Sequence, residues 1–230
     1  MENKIIIIGA NSKIAQKLIR HLYGRFNIIS FSRKKLKTKR IKQYVGNYNN
    51  LSIINNLKKN IHSNEVRPIF IFFNSITDQD LFINSKVKDI KKIIQINLLF
   101  PIMLTNLIIK KFFYSKPIFI YMSSLRSKDY DEGITLYSTT KNSLSFFAKN
   151  LHKEYSKFKI VFKVILLGLF KGGLEKKLSK KVKNQIMKNF KIKKYSRIDN
   201  LAKMIQHIIK FPHKTNVEID FVKFSNKFKN

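Results

Sequence analysis

Ile5-Ile6-Ile7-Ile8-Gly9-Ala10-Asn11-Ser12-Lys13-Ile14-Ala15-Gln16-Lys17-Leu18-Ile19-Arg20-His21-Leu22 is the stretch on which the fold turns. Four consecutive isoleucines have no polar face, so they read as a strand buried on both sides. Residues 9–12 make a turn. From Ile14 to Leu22 the apolar residues fall at helical spacing, and Gly24 closes that helix. Strand, glycine turn and helix together form a dinucleotide-binding arrangement, in which backbone N–H groups and the dipole at the helix start hold a pyrophosphate. Gly9, Asn11, Ser12, Lys13 and Ile14 are the candidate cradle. Its glycine signature is thinned: Lys13 and Ala15 stand where a Gly-x-x-x-Gly-x-Gly loop has its other glycines. Ala15 need only allow close packing. Lys13 is a misfit if its position requires positive φ, and a phosphate partner if it does not.

The same alternation continues outward. Further strands are expected at 26–31, 42–45, 68–73, 117–121, 160–167 and 217–222. Helices are expected at 51–61, 87–113 with a kink at Pro101, 137–155 and 198–209. Residues 174–194 form a basic amphipathic segment. Strands apolar on both faces and alternating with helices define an α/β fold: one Rossmann-like, doubly wound parallel sheet flanked by helices on both faces. A single domain over 1–230 is expected, with 171–194 as a substrate loop or lid.

Composition narrows the class. The chain has 230 residues, 44% of them hydrophobic and 26% charged, which suits a globular domain with a substantial core. There is no cysteine, hence no disulfide and no thiolate metal site, which fits a reducing cytoplasm. No signal peptide is visible and no stretch approaches the ~18 apolar residues of a membrane span. The five histidines are scattered and read as surface or packing residues, not metal ligands. The net charge of +34 has two readings: a polyanion partner, or compositional drift in a chain rich in Lys, Asn, Ile, Phe and Tyr. The charge is spread along the whole length, which favours drift.

Chemistry is carried by Tyr137-Ser138-Thr139-Thr140-Lys141. A tyrosine and a lysine four apart share a helix face. Ser124, thirteen residues before the tyrosine, ends an apolar run and can return to that face. A phenol with a pKa of about 10 is a poor acid at neutral pH, and a neighbouring ammonium favours its ionisation. In a chain with nine tyrosines and 47 Lys+Arg such a pair is common, so its weight depends on its surroundings. After the second strand there is no acid from Phe31 to Gln43 to bind ribose hydroxyls. Ser32, Arg33 and Lys34 suit a 2′-phosphate instead, so NADP(H) is preferred over NAD(H).

With these pieces in order, the chain resembles the classical short-chain dehydrogenase/reductase family over nearly its whole length. Asn97, in Ile96-Asn97-Leu98, with Ser124, Tyr137 and Lys141, matches the family's catalytic positions. The family's Asn-Asn-Ala-Gly turn is occupied by Phe72-Phe73-Asn74-Ser75, so both turn asparagines are absent, with Asn74 at the alanine place and Ser75 at the glycine place. The Pro-Gly turn is Leu167-Gly168, with Gly172 where a cofactor-binding threonine is often found. Asn47 stands where an aspartate approaches the adenine.

The resemblance implies hydride transfer between NADP(H) and a carbonyl/alcohol. It assigns Tyr137 as acid/base, Ser124 as the carbonyl's hydrogen-bond donor, Lys141 as ribose ligand that lowers the Tyr137 pKa, and Asn97 as holder of a relay water. It further implies a small-molecule substrate and a homodimer or homotetramer, paired through the helices around Asn97 and Tyr137, with Phe146 and Phe147 as candidates for contact. The tract 166–174 looks like members from surface-polysaccharide gene clusters, implying a sugar or nucleotide-sugar substrate. Two other classes remain open: a slow NADP(H)-binding sensor or scaffold, favoured by the eroded glycines, and a basic nucleic-acid-associated protein. No zinc pattern, RNA-stacking signature or recognition helix marks the latter.

Overall fold

The computed structural model describes residues 3–38, 41–49, 51, 53–59, 67–78, 80–129 and 132–226. Seven strands form one sheet: β1 (Lys4–Ile8), β2 (Asn27–Ser32), β3 (Lys42–Val45), β4 (Pro68–Phe72), β5 (Ile118–Ser124), β6 (Val161–Leu167) and β7 (Glu218–Asp220). Their order is β3-β2-β1-β4-β5-β6-β7 and every neighbouring pair is parallel. The order reverses between β2-β1 and β4. A doubly wound sheet opens its ligand crevice at that switch point, outside the carboxyl ends of the strands.

Alternation along each strand divides the core in two. Ile6, Ile8, Phe70, Phe72, Phe119, Tyr121 and Phe162 face α2 (Ile53–Lys58), α4 (Phe100–Phe112) and α5 (Thr135–Tyr155). Ile5, Ile7, Ile69, Ile71, Ile118 and Ile120 face α1 (Lys13–Leu22), α7 (Ile198–Lys210) and α8 (Phe221–Asn226). One face is aliphatic. The other carries a ladder of rings across neighbouring strands, with Phe70–Phe119 at 5.6 Å and Phe119–Phe162 at 4.8 Å between centroids. Burial on both faces explains why these strands carry no polar stripe.

Several boundaries differ from expectation. β5 continues to Ser124, because its last two serines still pair with Leu166 and Leu167 of β6. The segment expected as one helix at 87–113 is α3 (Val87–Ile94), a π-turn at Gln95–Leu99 and α4. Pro101 lies in the first turn of α4, where its missing N–H costs least, so the irregularity sits just before it. The last strand stops at Asp220, whose carboxylate accepts the N–H groups of Val222 and Lys223 and starts α8. The basic segment contains α6 (Lys180–Asn189), capped by the Ser179 hydroxyl. Residues 52, 60 and 61 of the second expected helix lie outside the described residues.

The helical stretch Val87–Ser115 is long and apolar enough to cross a bilayer, contrary to the reading of the sequence. Half of its most apolar window is buried inside the protein, with Ile96, Phe100, Leu104 and Ile108 packed on the sheet.

Candidate active site

Ser124 ends β5, and Tyr137 and Lys141 lie on the first two turns of α5. All three line a cavity of about 430 Å³. Ser12, Lys13 and Ile14 enter it from the β1–α1 turn, Ser75 from the segment after β4, and Gly168 from the end of β6. The Ser124 hydroxyl accepts the Arg126 N–H at 3.2 Å and lies near enough to the Tyr137 phenol to favour its ionisation. Burial pushes the phenol's pKa up; Ser124, the nearby Arg126 guanidinium and Ser75 pull it back. Ser75 Oγ, though near enough to act on the phenol, forms no hydrogen bond of good geometry.

Lys141 is 2% exposed, and its ammonium donates to the Met122 carbonyl at 2.9 Å. Burial pulls its pKa down to about 7. The Arg126 guanidinium also favours ionisation of the phenol. Sequence reading missed Arg126, because nothing but its place two residues after Ser124 distinguishes it in a chain with 47 Lys+Arg.

Asn97 stands apart from the cavity. Its Nδ2 donates to the Ile76 carbonyl at 2.8 Å and to Thr140 Oγ1 at 3.1 Å, while its Oδ1 accepts the Ile76 N–H at 2.8 Å. It therefore joins the segment after β4 to α5. Asp78 makes a second joint. Its two carboxylate oxygens accept the N–H groups of Leu136 (2.9 Å) and Tyr137 (3.0 Å) at the start of α5. That helix has no side-chain cap at its own N-cap residue, Ile134, so Asp78 caps it from a distance and with favourable charge. Asp78 was not foreseen; an acid in so basic a chain, just beyond the β4 turn, was the available signal.

The cofactor positions divide into three groups. Gly9 has φ +84°, and a Cβ there would lie 2.4 Å from the Asn74 backbone nitrogen. Lys13 opens α1 and is not among the positive-φ residues, so the feared misfit does not arise. The N–H groups of the first α1 turn have no helical acceptors, and Ser12, Lys13 and Ile14 face the cavity, as a pyrophosphate requires. Arg33 and Asn47 line a second cavity, of about 1030 Å³, together with Asn49, Lys91 and Lys92. The Arg33 guanidinium lies 5.8 Å from the Tyr48 ring centre, and no carboxylate lines that cavity among the described residues.

Asn11 and Ser32 line neither cavity. Asn11 exchanges two 2.9 Å hydrogen bonds with the Lys34 backbone, and the Ser32 hydroxyl donates to the same carbonyl at 2.7 Å. Both build the basic loop rather than the cavity wall. Asn74 is buried, donating from Nδ2 to the Ile96 carbonyl while its Oδ1 has no partner. Phe72 belongs to the aromatic core, whereas Phe73 and Leu167 wall the first cavity. Gly168 is fixed by packing, since a Cβ would lie 2.8 Å from Val222. The residues present thus fit a dinucleotide laid from the Arg33 cavity, over the Gly9 turn, to Tyr137.

Sheet order, glycine turn and hydroxyl–phenol–ammonium cavity together define a nicotinamide-dependent oxidoreductase of Rossmann type. The profile described as short chain dehydrogenase matches residues 3–183, so the chain belongs to the short-chain dehydrogenase family of NAD(P)-dependent oxidoreductases. Comparison with curated protein sequences gives no match. Among solved structures, "4-hydroxyisoleucine dehydrogenase complexed with NADH" shares 21% identity, covering 95% of this chain and 96% of that chain, with a TM-score of 0.80. An actinorhodin polyketide ketoreductase with NADPH shares 14% identity, covering 95% of each chain, with a TM-score of 0.81. A short chain dehydrogenase from Leptospira borgpetersenii with bound NAD+ shares 14% identity, covering 96% of this chain and 92% of that chain, with a TM-score of 0.80. At such identities these likenesses concern the fold.

Proposed function

We propose that the protein is an NADP(H)-preferring oxidoreductase acting on a carbonyl/alcohol, with Tyr137 as general acid/base. The observation that carries this reading is that Ser124, Tyr137, Lys141 and the start of α1 share the wall of one cavity. The nicotinamide, when bound, supplies or accepts the hydride. A buried phenol with a raised pKa is protonated at neutral pH, so Tyr137 is poised to protonate the oxygen of a carbonyl being reduced. Ser124 accepts from Arg126 N–H, which leaves its own hydrogen for the phenol or the substrate oxygen, where it stabilises developing charge. Lys141 turns from the Met122 carbonyl to the nicotinamide ribose.

Asn97 acts mainly through position, holding the catalytic helix. Pro101, four residues on, has no N–H for the Asn97 carbonyl, which supports that oxygen as the acceptor for a relay water. The preference for NADP(H) rests on Arg33, Lys91 and Lys92 around a cavity without a described carboxylate. The 171–194 segment suits a substrate loop: Gly172, Leu174 and Leu178 reach the first cavity, and Glu175 ties it to Gly172 N–H and Lys183. Phe146, 69% exposed on α5, supports pairing of that helix in a homo-oligomer. A cytoplasmic setting is consistent with the cysteine-free sequence.

The test is oxidation of NADPH and NADH against a panel of carbonyl compounds, with Tyr137→Phe alongside. Turnover with at least one carbonyl is expected, and Tyr137→Phe cuts it by roughly 10²-fold or more, the lower range for general acid catalysis. Near-normal turnover in Tyr137→Phe refutes the assignment. Cofactor binding by the wild type, without turnover across the panel, favours the sensor or scaffold.

A further inference from the structure

Arg126 is only 9% exposed, yet it is placed in the wall of the catalytic cavity, beside the phenol. A nearly buried guanidinium is costly to desolvate, and its planar fork of donors is the side chain best shaped for a carboxylate. Its backbone is rigidly held. Arg126 N–H binds Ser124 Oγ, the Ser127 hydroxyl donates to the Ser124 carbonyl at 2.6 Å, and Lys128 pairs with Glu218 on β7. The turn that carries the arginine is therefore fixed to the same strand end as the catalytic serine, so the backbone from which the guanidinium reaches the cavity is set by the fold.

The rest of the cavity limits what else the substrate carries. Phe73, Met122, Leu169, Phe170, Leu174 and Leu178 give it mostly apolar walls. Among the described residues one carboxylate lines it, Glu175, which accepts from Gly172 N–H at 2.8 Å and pairs with Lys183 at 3.2 Å. Lys13 lies at the helix start, on the side suited to the cofactor phosphates. Among the described residues Arg126 is thus a cation in the wall on the substrate side, away from the Lys13 helix start. A guanidinium has five N–H donors, enough to serve the cavity wall and a ligand together.

We propose that Arg126 is the substrate-recognition residue, binding the carboxylate of a short, otherwise apolar oxo acid (or hydroxy acid) whose carbonyl lies between Ser124 and Tyr137. This rests on the oxidoreductase reading and departs from a sugar substrate, whose many hydroxyls the apolar walls would leave without partners.

The experiment compares matched acids and methyl esters: 3-oxobutanoate, 4-oxopentanoate and 5-oxohexanoate against their esters, with NADPH and with NADH. Wild type, Arg126→Lys and Arg126→Met are assayed in parallel. Wild type is expected to favour at least one acid over its ester in kcat/KM by roughly 10- to 100-fold, the range for a hydrogen bond to a charged group. Arg126→Met brings that ratio close to one, mainly through KM for the acid, and Arg126→Lys keeps part of it. An ester preference in wild type, or an acid/ester ratio unchanged in Arg126→Met, overturns the proposal. If neither series turns over while another carbonyl of the panel does, the proposal is overturned; if no carbonyl turns over with either nucleotide, the oxidoreductase reading fails and the anion site is judged by thermal shift with NADP+ present. Stabilisation of wild type by the acids, lost in Arg126→Met, then sustains the site; an equal response in both proteins overturns it.

Discussion

Lys141→Met should make the protein more stable while removing its activity. The lysine is buried, its ammonium donates to a backbone carbonyl, and its pKa falls from 10.5 to about 7. At 1.36 kcal/mol for each pH unit, that displacement is worth about 5 kcal/mol as an upper bound. Losing the bond to Met122 gives back about 1–3 kcal/mol, so the net gain at pH 6 is about 2–4 kcal/mol. The sign follows from proton binding. Between about pH 7 and 10.5 the unfolded chain holds a proton on this lysine that the folded chain does not, so wild-type stability rises with pH across that window. Below about pH 7 both states are protonated and the penalty is complete. The advantage of Lys141→Met is therefore largest at pH 6 and shrinks through pH 8; by pH 10 the remaining penalty is about 1 kcal/mol, the lost hydrogen bond outweighs it, and the variant is slightly the less stable. Urea unfolding of both proteins at those three pH values, without nucleotide, measures it directly. A difference that does not vary with pH, or a methionine variant less stable at pH 6, would refute the reasoning.

Three further perturbations test other parts of the site. Asp78→Ala removes both acceptors at the start of α5 and should cost roughly 1–3 kcal/mol in urea unfolding, with Asp78→Asn losing less. Because one of those acceptors holds Tyr137 itself, turnover should fall even where the variant is fully folded; unchanged turnover would show that the cap is irrelevant to catalysis. Gly9→Ala forces a Cβ to within 2.4 Å of the Asn74 nitrogen at a positive φ. It should lose the thermal-shift response to NADPH and NADH alike, and a normal response would contradict the turn geometry. Arg33→Ala should weaken stabilisation by NADPH much more than by NADH, and equal effects would remove Arg33 as the 2′-phosphate ligand.

The fold was legible because its signals are redundant. Ile5 to Ile8, the run after Pro68 and the run before Ser123 carry no polar face, and each is followed by residues at helical spacing, which leaves little besides a covered parallel sheet. Boundaries were less legible where tertiary hydrogen bonds decide them. Asp220 turns the chain from strand to helix through its own carboxylate, and Gln95–Leu99 becomes a π-turn ahead of Pro101. Of the site, Ser124, Tyr137 and Lys141 were readable from spacing because strand ends and helix turns are local. Their electrostatics were not. The Arg126 guanidinium acts on the phenol from the turn after β5, and the Lys141 ammonium donates to a backbone carbonyl; spacing reveals neither.

The eroded turn after β4 shows why counting motif letters misjudges this site. Without the family's asparagines, that turn must be held by other means if Ser75 and the phenol are to keep their places. Asn97 grips Ile76 through both backbone groups, and Asp78, two residues further on, grips the first turn of α5. Thr140 closes the circuit, accepting from Asn97 and donating to the Tyr137 carbonyl at 3.0 Å. The loop of contacts runs from Asn97 through Ile76 and Asp78 to Tyr137, and back through Thr140. Every link but the short chain between Ile76 and Asp78 and the first turn of α5 is a hydrogen bond to a backbone group or between buried side chains. Such a ring fixes the helix that carries Tyr137 and Lys141 without help from the turn residues themselves. Loss of the turn asparagines and retention of Asn97 are therefore compatible: the position kept is the one on which the ring depends.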